Sequence, residues 1–522
     1  MGCTNSEEDQ VKPEKQEKPK FIRGNKRRVT ESKNKDIRKN YEFISMLGNG
    51  SFGKVRLYRD KNYKELLFAI KTLKKEGISN YHFNLLKREV DILSNMDHPY
   101  IVKYFGIFED DFFIHIVMEY LKGHDLSKII SLKNYNDFNE NQMGQIIHQL
   151  LKALSFIHSK NIIHRDIKPE NILFSDKRNI FSLKLIDFGL AAFSEQDKKI
   201  VGTPSYMSPE MVDGNGTYVS DIWSVGVVVY QMLTGKLPFE NNYDEENTNE
   251  LLYQRIKKEE YNKERLQKID CSEDVIDFID KALKKDVKSR MTVEEALNHP
   301  WIKKFNINSL DPSLINEDSI QLFLNFSNKP ALQKEIYYFL AKISNENDIA
   351  IYKNIFNFFD VNNKGGLSKN DLKEGLAKNK INIDEETLGI IFDGLDFHNN
   401  GKIYYSEFLS AMVSSKDFNK EEKIISVFNL LKENEQNNNY ITYDSLENAA
   451  KALNLNINKE SLQHCFKKLN GHISLEKFQK IILDDNSEEK SSENINNMPT
   501  ISNGCKPKKN NSVLTRKKTN QM

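Results

Sequence analysis

The chain of 522 residues is poor in cysteine, in net charge and in long apolar runs. Its four cysteines lie far apart without a CxxC pair, which argues against a disulfide framework and favours a reducing, cytoplasmic compartment. Lys and Arg number 76 against 75 Asp and Glu, so the formal charge of +1 gives no reason to expect a nucleic-acid partner. The longest apolar run, near residues 222–233, is shorter than the roughly 18 residues of a membrane span and predicts a buried core helix.

Composition divides the chain into five segments. Residues 1–40 and 486–522 are basic, lack an apolar stripe and predict disordered arms. Residues 41–301 alternate strand-like and helical patterns, which predicts an α+β enzyme domain. Residues 302–345 are predicted to be mostly helical, and residues 346–485 to form a separate all-α domain.

The two helical segments differ in their patterns. The first carries an apolar stripe from Leu332 to Ile343, which suits a groove-binding helix or ordinary packing. The second repeats one pattern four times, with spacings of 36, 36 and 38 residues, and predicts four helix-loop-helix units. The repeated pairs are Phe356/Phe359, Phe392/Leu395, Phe428/Leu431 and Phe466/Leu469.

A glycine-rich loop opens the large α+β segment with the sequence LGNGSFGKV. A strand-like stretch follows it rather than a long helix, which favours a hairpin that covers phosphates over a dinucleotide-binding turn. Lys71 ends the strand FAIK and is expected to pair with the phosphates, while Glu89 on the next helix would fix its ammonium. The expected nucleotide-binding residues are Leu47, Gly48, Asn49, Gly50, Ser51, Gly53, Val55, Lys71 and Glu89.

Further along, HRDIKPEN at residues 164–171 and DFG at residues 187–189 follow in the same order and spacing as in protein kinases. The segment from about Tyr41 to Trp301 therefore resembles the eukaryotic Ser/Thr protein kinases and implies their bilobal fold. The resemblance implies that Asp166 accepts the proton of the substrate hydroxyl and that Lys168 steadies the γ-phosphoryl group of ATP. It also implies that Asn171 and Asp187 hold Mg²⁺.

Other positions refine the kinase resemblance. Glu119 and Leu121 lie on the expected hinge, where backbone groups would bind adenine, beside the gatekeeper Met118. Thr203 and Lys168 are typical of kinases that phosphorylate Ser or Thr in proteins. Asp125 and Glu170 stand where relatives that prefer basic residues ahead of the phosphorylated residue carry acids, although each is also explained as a solvated charge.

The activation segment lacks the usual phosphorylated residue. Lys199 stands where many kinases carry a Thr or Ser whose phosphate pairs with the arginine of HRD, here Arg165. Between Asp187 and Gly202 only Ser194 offers a hydroxyl. We therefore expect activity that does not await phosphorylation at residue 199.

The second helix-loop-helix unit contains the clearest ion-binding loop, DFHNNGKIYYSE at residues 396–407. It fits an EF-hand, with carboxylates at positions 1 and 12 and glycine at position 6. His398 at position 3 departs from the pattern because it replaces an oxygen ligand. The expected calcium-binding residues are Asp396, His398, Asn400, Lys402 through its carbonyl, and Glu407.

The other three units are poorer. In the first, Lys364 stands at a ligand position, so a weak site and an empty loop are both open; its candidate ligands are Asp360, Asn362, Ser368 and Asp371. The third loop is two residues longer and ends on Ser445, and the fourth is four residues shorter. We expect these two to bind no calcium and to serve as packing partners.

A kinase segment, a helical junction and four EF-hand units in this order resemble the calcium-dependent protein kinases of plants and alveolate protists, over about residues 41–480. In that family the junction, here residues 302–345, occupies the catalytic domain without calcium and is withdrawn by the EF-hands. The implied cofactors are ATP, Mg²⁺ and Ca²⁺, and the partners are protein substrates of a monomeric enzyme. Two alternatives stay open, namely a calcium-independent kinase with structural EF-hands and an inert calcium-responsive scaffold.

The first residues, MGCTNS, match the pattern for N-myristoylation, with Gly2 as the acceptor. A single myristoyl chain binds membranes weakly, so a second signal is needed. Cys3 could carry a palmitoyl chain, and basic residues 26–28 add attraction to anionic lipids. The expected location is the cytoplasmic, inner face of a membrane.

Overall fold

The computed structural model describes most of the chain between residues 37 and 483. Apart from residues 37–40, the two predicted arms lie outside the described residues. In the part described, no helix combines the length and apolar character that a membrane crossing requires. The described residues are 37–50, 53–61, 64, 66–77, 79–131, 139–177, 179–193, 198–239, 249–304, 315–344, 346–414, 421–432, 439–452, 457 and 459–483.

The small lobe of the kinase segment is an antiparallel sheet with one long helix. The sheet has five strands in the order β1-β2-β3-β5-β4, and Lys71 pairs with Val55 and Ile116 in its centre. Ser79 begins the long helix, α2, by accepting a hydrogen bond from the His82 N–H at 3.2 Å. The elements are α1 (Ile37–Asn40), β1 (Tyr41–Gly50), β2 (Gly53–Asp60), β3 (Leu67–Lys74), α2 (Asn80–Ser94), β4 (Tyr104–Glu109) and β5 (Phe113–Glu119).

The large lobe is mainly helical and is built around two buried helices, α4 and α6. The apolar run at residues 222–233 lies within α6 and is buried apart from the half-buried Gln231, as predicted. The elements are α3 (Leu126–Ser131), α4 (Glu140–Ser159), β6 (Ile162–Ile163), β7 (Ile172–Asp176), β8 (Asn179–Leu185), β9 (Ala192–Phe193), α5 (Pro209–Val212), α6 (Tyr218–Thr234), α7 (Asn249–Lys258), α8 (Glu264–Gln267), α9 (Glu273–Ala282), α10 (Val293–Leu297) and α11 (Pro300–Lys303).

The C-terminal part contains two junction helices and four helix-loop-helix units. Short strands join the loops in pairs: Leu367 pairs with Ile403, and Ile441 pairs with Ile473. The third and fourth units are therefore paired despite their altered loops. The elements are α12 (Glu317–Ser327), α13 (Ala331–Ile343), α14 (Glu346–Phe359), β10 (Gly366–Leu367), α15 (Lys369–Lys378), α16 (Glu385–Leu395), β11 (Ile403–Tyr404), α17 (Tyr405–Val413), α18 (Glu421–Leu431), β12 (Tyr440–Thr442), α19 (Tyr443–Ala452), α20 (Lys459–Lys468), β13 (His472–Ser474) and α21 (Leu475–Leu483).

The junction helices lie within the EF-hand part. Helix α13 contacts α17, α18 and α20, and α12 contacts α16 and α17. The apolar stripe on α13 is buried there, with Ile336 and Phe339 fully enclosed. This core continues to Phe105 and Phe108 on β4, so the EF-hand part packs against the small lobe. None of the described junction residues 315–344 lines the cavity between the two kinase lobes.

Candidate active site and ion-binding loops

A cavity of about 760 Å³ lies between the two kinase lobes. The hairpin of β1 and β2 covers it, and Gly53 is needed there because a Cβ atom would lie 2.4 Å from the carbonyl oxygen of Thr72. Asn49 and Gly50 lie in the same hairpin, while Ser51 falls outside the described residues. The cavity brings together ten predicted site residues: Leu47, Gly48, Val55, Lys71, Glu89, Glu119, Leu121, Lys168, Asn171 and Asp187.

Lys71 lies between two carboxylates inside this cavity. Its Nζ is 2.6 Å from Glu89 Oε1 and 2.9 Å from Asp187 Oδ1. Burial alone would lower the pKa of Lys71, but the charges of Glu89 and Asp187 raise it above its ordinary value. The ammonium group is therefore charged and fixed, and helix α2 is held against the sheet in the arrangement that phosphate binding requires.

The candidate base, Asp166, is held by three neighbours. Lys168 Nζ lies 2.8 Å from Asp166 Oδ2, and Asn171 Nδ2 donates to the same oxygen at 3.0 Å. Thr203 donates its hydroxyl to Asp166 Oδ1 at 2.7 Å and accepts from Lys168 Nζ at 2.7 Å. Because the amide nitrogen of Asn171 faces Asp166, its amide oxygen is the atom that remains to coordinate a metal ion.

Asp221 fixes the backbone of the catalytic loop, which is formed by residues 164–171. Its carboxylate accepts the N–H groups of His164 and Arg165, each at 2.9 Å, and lies 2.8 Å from His158 Nε2. Burial would raise the pKa of Asp221, but the hydrogen bond from His158 leads the interactions that keep it below its ordinary value. Arg165 takes a left-handed φ of 65°, which this network stabilises.

Two contacts, at Glu210 and at Lys199, hold the described part of the activation segment in place. Glu210 forms a two-pronged ion pair with Arg290, at 2.5 and 2.9 Å, and this pair anchors the end of the segment. Nearer the cleft, Lys199 Nζ lies 3.5 Å from the centre of the Tyr81 ring on α2. Ser194 falls outside the described residues. The residue that replaces the usual phosphorylation site thus contacts α2 directly.

Asp125 and Glu170, the two acids predicted to select basic substrates, both border the cavity. Glu170 is exposed at its mouth. Asp125 also accepts hydrogen bonds from the Ser127 hydroxyl at 2.5 Å and from the Lys128 N–H at 2.9 Å, and so it begins helix α3. The structural role of Asp125 leaves Glu170 as the more accessible acid.

The second ion-binding loop has the EF-hand turn, but one side chain differs. Gly401 has a φ of 74°, and Asp396 accepts the N–H groups of Asn400 and Gly401 at 2.7 and 2.8 Å. His398 Nδ1 lies 2.9 Å from Glu407 Oε1, and its Nε2 lies 3.6 Å from Glu335 Oε1 on α13. The side chain is 4% exposed.

The charge of His398 follows from these neighbours. Burial lowers its pKa, but the close contact with Glu335, the hydrogen bond with Glu407 and the charges of both carboxylates raise it to about 9. The oxygens of Asp396, Asn400, the Lys402 backbone and Glu407 suit calcium. The imidazole is the one member of the predicted set that does not, because it places a cation beside the bidentate ligand Glu407.

The first loop is closed by its own hydrogen bonds and by the kinase. Asp360 accepts the N–H groups of Lys364 and Gly365, each at 3.0 Å, and Asn362 donates to Asp371 Oδ1 at 2.6 Å. Ser368 donates to the other oxygen of Asp371. Gly365 packs against His98 and Phe156 of the kinase, and any Cβ there would clash with both rings. The predicted weak ligands are therefore near one another, but each is engaged within the loop.

Comparison with known proteins agrees with this geometry. The protein kinase domain family matches residues 41–302, and the EF-hand domain pair matches residues 352–413. Calcium-dependent protein kinase 3 of Plasmodium berghei is 34% identical over 384 residues, 72% of this chain and 66% of the relative. Calcium-dependent protein kinase 7 of Arabidopsis thaliana is 30% identical over 419 residues, 79% of this chain and 76% of the relative. The chain belongs to the calcium-dependent protein kinase family.

Calcium-dependent protein kinase 5 of Plasmodium falciparum is a third relative, 35% identical over 389 residues, which are 74% of this chain and 66% of the relative. The matched part thus spans about two thirds of each Plasmodium relative's length. Family membership confirms the resemblance drawn from the kinase motifs and the EF-hand order. The α+β kinase fold followed by an EF-hand domain is also confirmed.

The sequence motifs do not predict a group of charged contacts that lies behind the hinge of the kinase segment. Glu119 Oε1 accepts the Lys103 N–H at 2.7 Å and lies 3.5 Å from Lys184 Nζ. Lys184 Nζ also lies 3.6 Å from Glu346 Oε2 on α14. Burial raises the pKa of Glu346, but Lys184 and Lys353 lower it to about 2. No motif marks these lysines, because their role depends on how two distant segments pack.

Proposed function

We propose that this chain transfers the γ-phosphoryl group of ATP to Ser or Thr residues of proteins under the control of calcium. The observation that carries the proposal is the fixed chain of contacts from Glu89 through Lys71 to Asp187 in the cavity. Asp166 lies directly behind it, in contact with the cavity residues Lys168 and Thr203. Each of these groups serves phosphoryl transfer, which depends on charge stabilisation and alignment rather than on covalent chemistry.

The residues divide the reaction between them. Lys71 is placed to bind the non-transferred phosphates, since its ammonium group is fixed by Glu89. Asp166 accepts the proton of the attacking hydroxyl, and Lys168, 2.8 Å away, stabilises the negative charge on the transferred group. Asn171 and Asp187 would hold Mg²⁺, which neutralises charge on the phosphate oxygens when it is bound.

Substrate selection follows from the cavity rim. Thr203 lines the cavity and contacts both Asp166 and Lys168, so a Ser or Thr hydroxyl that enters beside it would approach the base. We propose that basic residues ahead of the phosphorylated Ser or Thr pair with Glu170, aided by Asp125. The acceptors are protein substrates, and we propose that the enzyme acts as a monomer.

Calcium is proposed to act at the second EF-hand loop. Asp396, Asn400, the carbonyl of Lys402 and Glu407 supply the oxygens that a hard cation prefers. Glu407 must leave its contact with His398 to bind the ion with both oxygens. The closed first loop, with Asp360 and Asp371 already engaged, is proposed to have a structural role.

The test is transfer of labelled phosphate from Mg-ATP to a Ser peptide with upstream arginines, with calcium or with a chelator. The proposal expects stimulation by calcium and a loss of on the order of 10³-fold in Asp166→Asn, whose amide cannot accept the proton. Equal rates with calcium and chelator would favour a calcium-independent kinase. Absence of transfer under every condition would favour an inert scaffold.

We also propose attachment to the inner face of a membrane through acyl groups on Gly2 and Cys3, which lie outside the described residues. The support is the MGCTNS pattern and the basic residues that follow it. Gly2→Ala should move the full chain from the membrane to the soluble fraction of cells. Retention of the variant on the membrane would contradict the proposal.

A further inference from the structure

A direct contact joins the second ion-binding loop to the small lobe of the kinase. Ser406 donates its backbone N–H to Asp97 Oδ2 at 2.9 Å and its hydroxyl to Asp97 Oδ1 at 2.7 Å. Both carboxylate oxygens of Asp97 are therefore used, across 309 residues of sequence. Ser406 lies in the first turn of α17 and directly precedes Glu407, the candidate calcium ligand.

The position of Ser406 makes this contact sensitive to the ion loop. Its side chain is buried, so water cannot easily replace Asp97. The carboxylate also lies at the amino end of α17, where negative charge is favoured by the helix dipole. Ser406 and Glu407 are consecutive residues in the first turn of α17, so a change at Glu407 on ion binding bears directly on the turn that contacts Asp97.

On the kinase side, Asp97 lies at the base of the helix that carries Glu89. Helix α2 ends at Ser94, and Asn95 closes it by donating its side-chain amide to the carbonyl of Asp91 at 2.7 Å. Asp97 follows two residues later. A shift of Asp97 is therefore transmitted to the end of α2, and Glu89 in that helix holds Lys71 at 2.6 Å.

Two neighbouring contacts keep the connection rigid. Lys160 Nζ of the kinase lies 4.9 Å from the centre of the Tyr404 ring, next to the turn that contains Ser406. Asn357 of α14 donates its amide to the Tyr100 hydroxyl at 2.9 Å, within the loop that follows Asp97. The loop between α2 and β4 is thus held by both units of the first EF-hand pair.

We propose that Asp97 is a positioning residue that couples the second EF-hand loop to α2, so that the ion-bound loop stabilises the pairing of Glu89 with Lys71. The inference rests on the proposed calcium-regulated kinase activity and names the contact through which that regulation reaches the catalytic lysine. Asp97 does not contact the nucleotide cavity. It acts through the position of α2.

The test compares Asp97→Ala and Ser406→Ala in the full chain with Ser410→Ala. Ser410 lies one turn further along α17 and donates only to the Ser406 carbonyl at 2.6 Å, so it controls for damage to the helix. We expect the first two variants to lower calcium-stimulated kcat by about fivefold or more, the lower bound of typical coupling between sites. The KM for peptide and the rate in chelator should stay unchanged, and Ser410→Ala should resemble the parent.

Three further measurements separate coupling from a structural role. The double variant should lose no more activity than either single variant, because both remove the same contact. Hydrogen exchange of α2 with calcium present should rise in Asp97→Ala while calorimetry shows unchanged calcium binding. Full stimulation in both single variants, additive losses, or lost calcium binding would each overturn the proposal.

Failure of the proposed function has a different signature. If the parent chain transferred phosphate equally with calcium and with chelator, calcium regulation would be wrong regardless of Asp97. Hydrogen exchange of the α2 amides would still test the contact between Asp97 and Ser406 in that case. Faster exchange in Asp97→Ala, but not in Ser410→Ala, would support the coupling, and equal exchange would overturn it.

Discussion

The catalytic cleft and the second ion-binding loop differ in how their buried charges are paired. In the cleft, Lys71 is fixed by two carboxylates while a cavity of about 760 Å³ remains for the nucleotide. In the loop, the carboxylate that should bind the ion is already paired with His398 at 2.9 Å. The cleft is assembled in advance of its ligand, whereas the loop contains an internal group that competes with its ligand.

This difference suits the two tasks. Catalysis gains from groups that need not move when the substrate binds, because reorganisation then adds nothing to the barrier. A sensor instead needs two states whose balance the ion can change. The contact of His398 with Glu335 joins the ion-free loop to helix α13, so the junction helix affects the equilibrium between the two states.

Among the changes that test the ion-binding loop, the largest effect is expected from Glu407→Gln, which removes the charge and the bidentate ligand from position 12. The concentration of calcium needed for half-maximal activity should rise by on the order of tenfold or more, because this position contributes two of the oxygens around the ion. Peptide phosphorylation over a calcium titration measures the shift. Asp371→Asn at the last position of the closed first loop is the matched control and should change the curve little.

An unchanged titration in Glu407→Gln would exclude the second loop as the sensor. An equal shift in Asp371→Asn would instead show that both loops bind calcium, and the structural role proposed for the first loop would be wrong. The two variants therefore test the comparison as well as the site.

A smaller effect in the opposite direction is expected from His398→Asn. The change replaces a cation by an amide oxygen at position 3 and frees Glu407 from its internal partner. Calcium affinity should increase by roughly tenfold, since ligand number and charge set the affinity of such loops. Calorimetry on the full chain measures it, with His472→Asn in the fourth unit as the control. Weaker binding in His398→Asn would show that the imidazole supports the ion site.

The catalytic cleft could largely be anticipated from the sequence because its residues come in short segments with characteristic spacing. The glycine loop, Lys71, the segment at 164–171 and the segment at 187–189 each place a side chain relative to its own strand or loop. The structure places these segments around one cavity. The roles assigned to the individual residues stay predictions.

The interface between the kinase and the EF-hand part could not be anticipated in this way. Asp97 and Ser406 are ordinary polar residues in their local sequences, and only the packing of distant segments makes them partners. The same holds for Glu335, which the apolar stripe of α13 gave no reason to single out. His398 departs from the EF-hand pattern in the sequence itself, but its second partner, Glu335, depends on how helix α13 packs.

The smallest effect is expected where the activation segment contacts α2. Lys199→Ala removes the cation above the Tyr81 ring, and such contacts at exposed sites contribute about 0.5–1 kcal/mol, which corresponds to a two- to fivefold loss of kcat. Tyr81→Phe keeps the ring and should retain activity, whereas Tyr81→Leu should match Lys199→Ala. Ser194→Ala should remain active, because the Lys199 contact, rather than a phosphate, holds the segment. Abolished activity in Ser194→Ala would mean that phosphorylation of the segment is required after all.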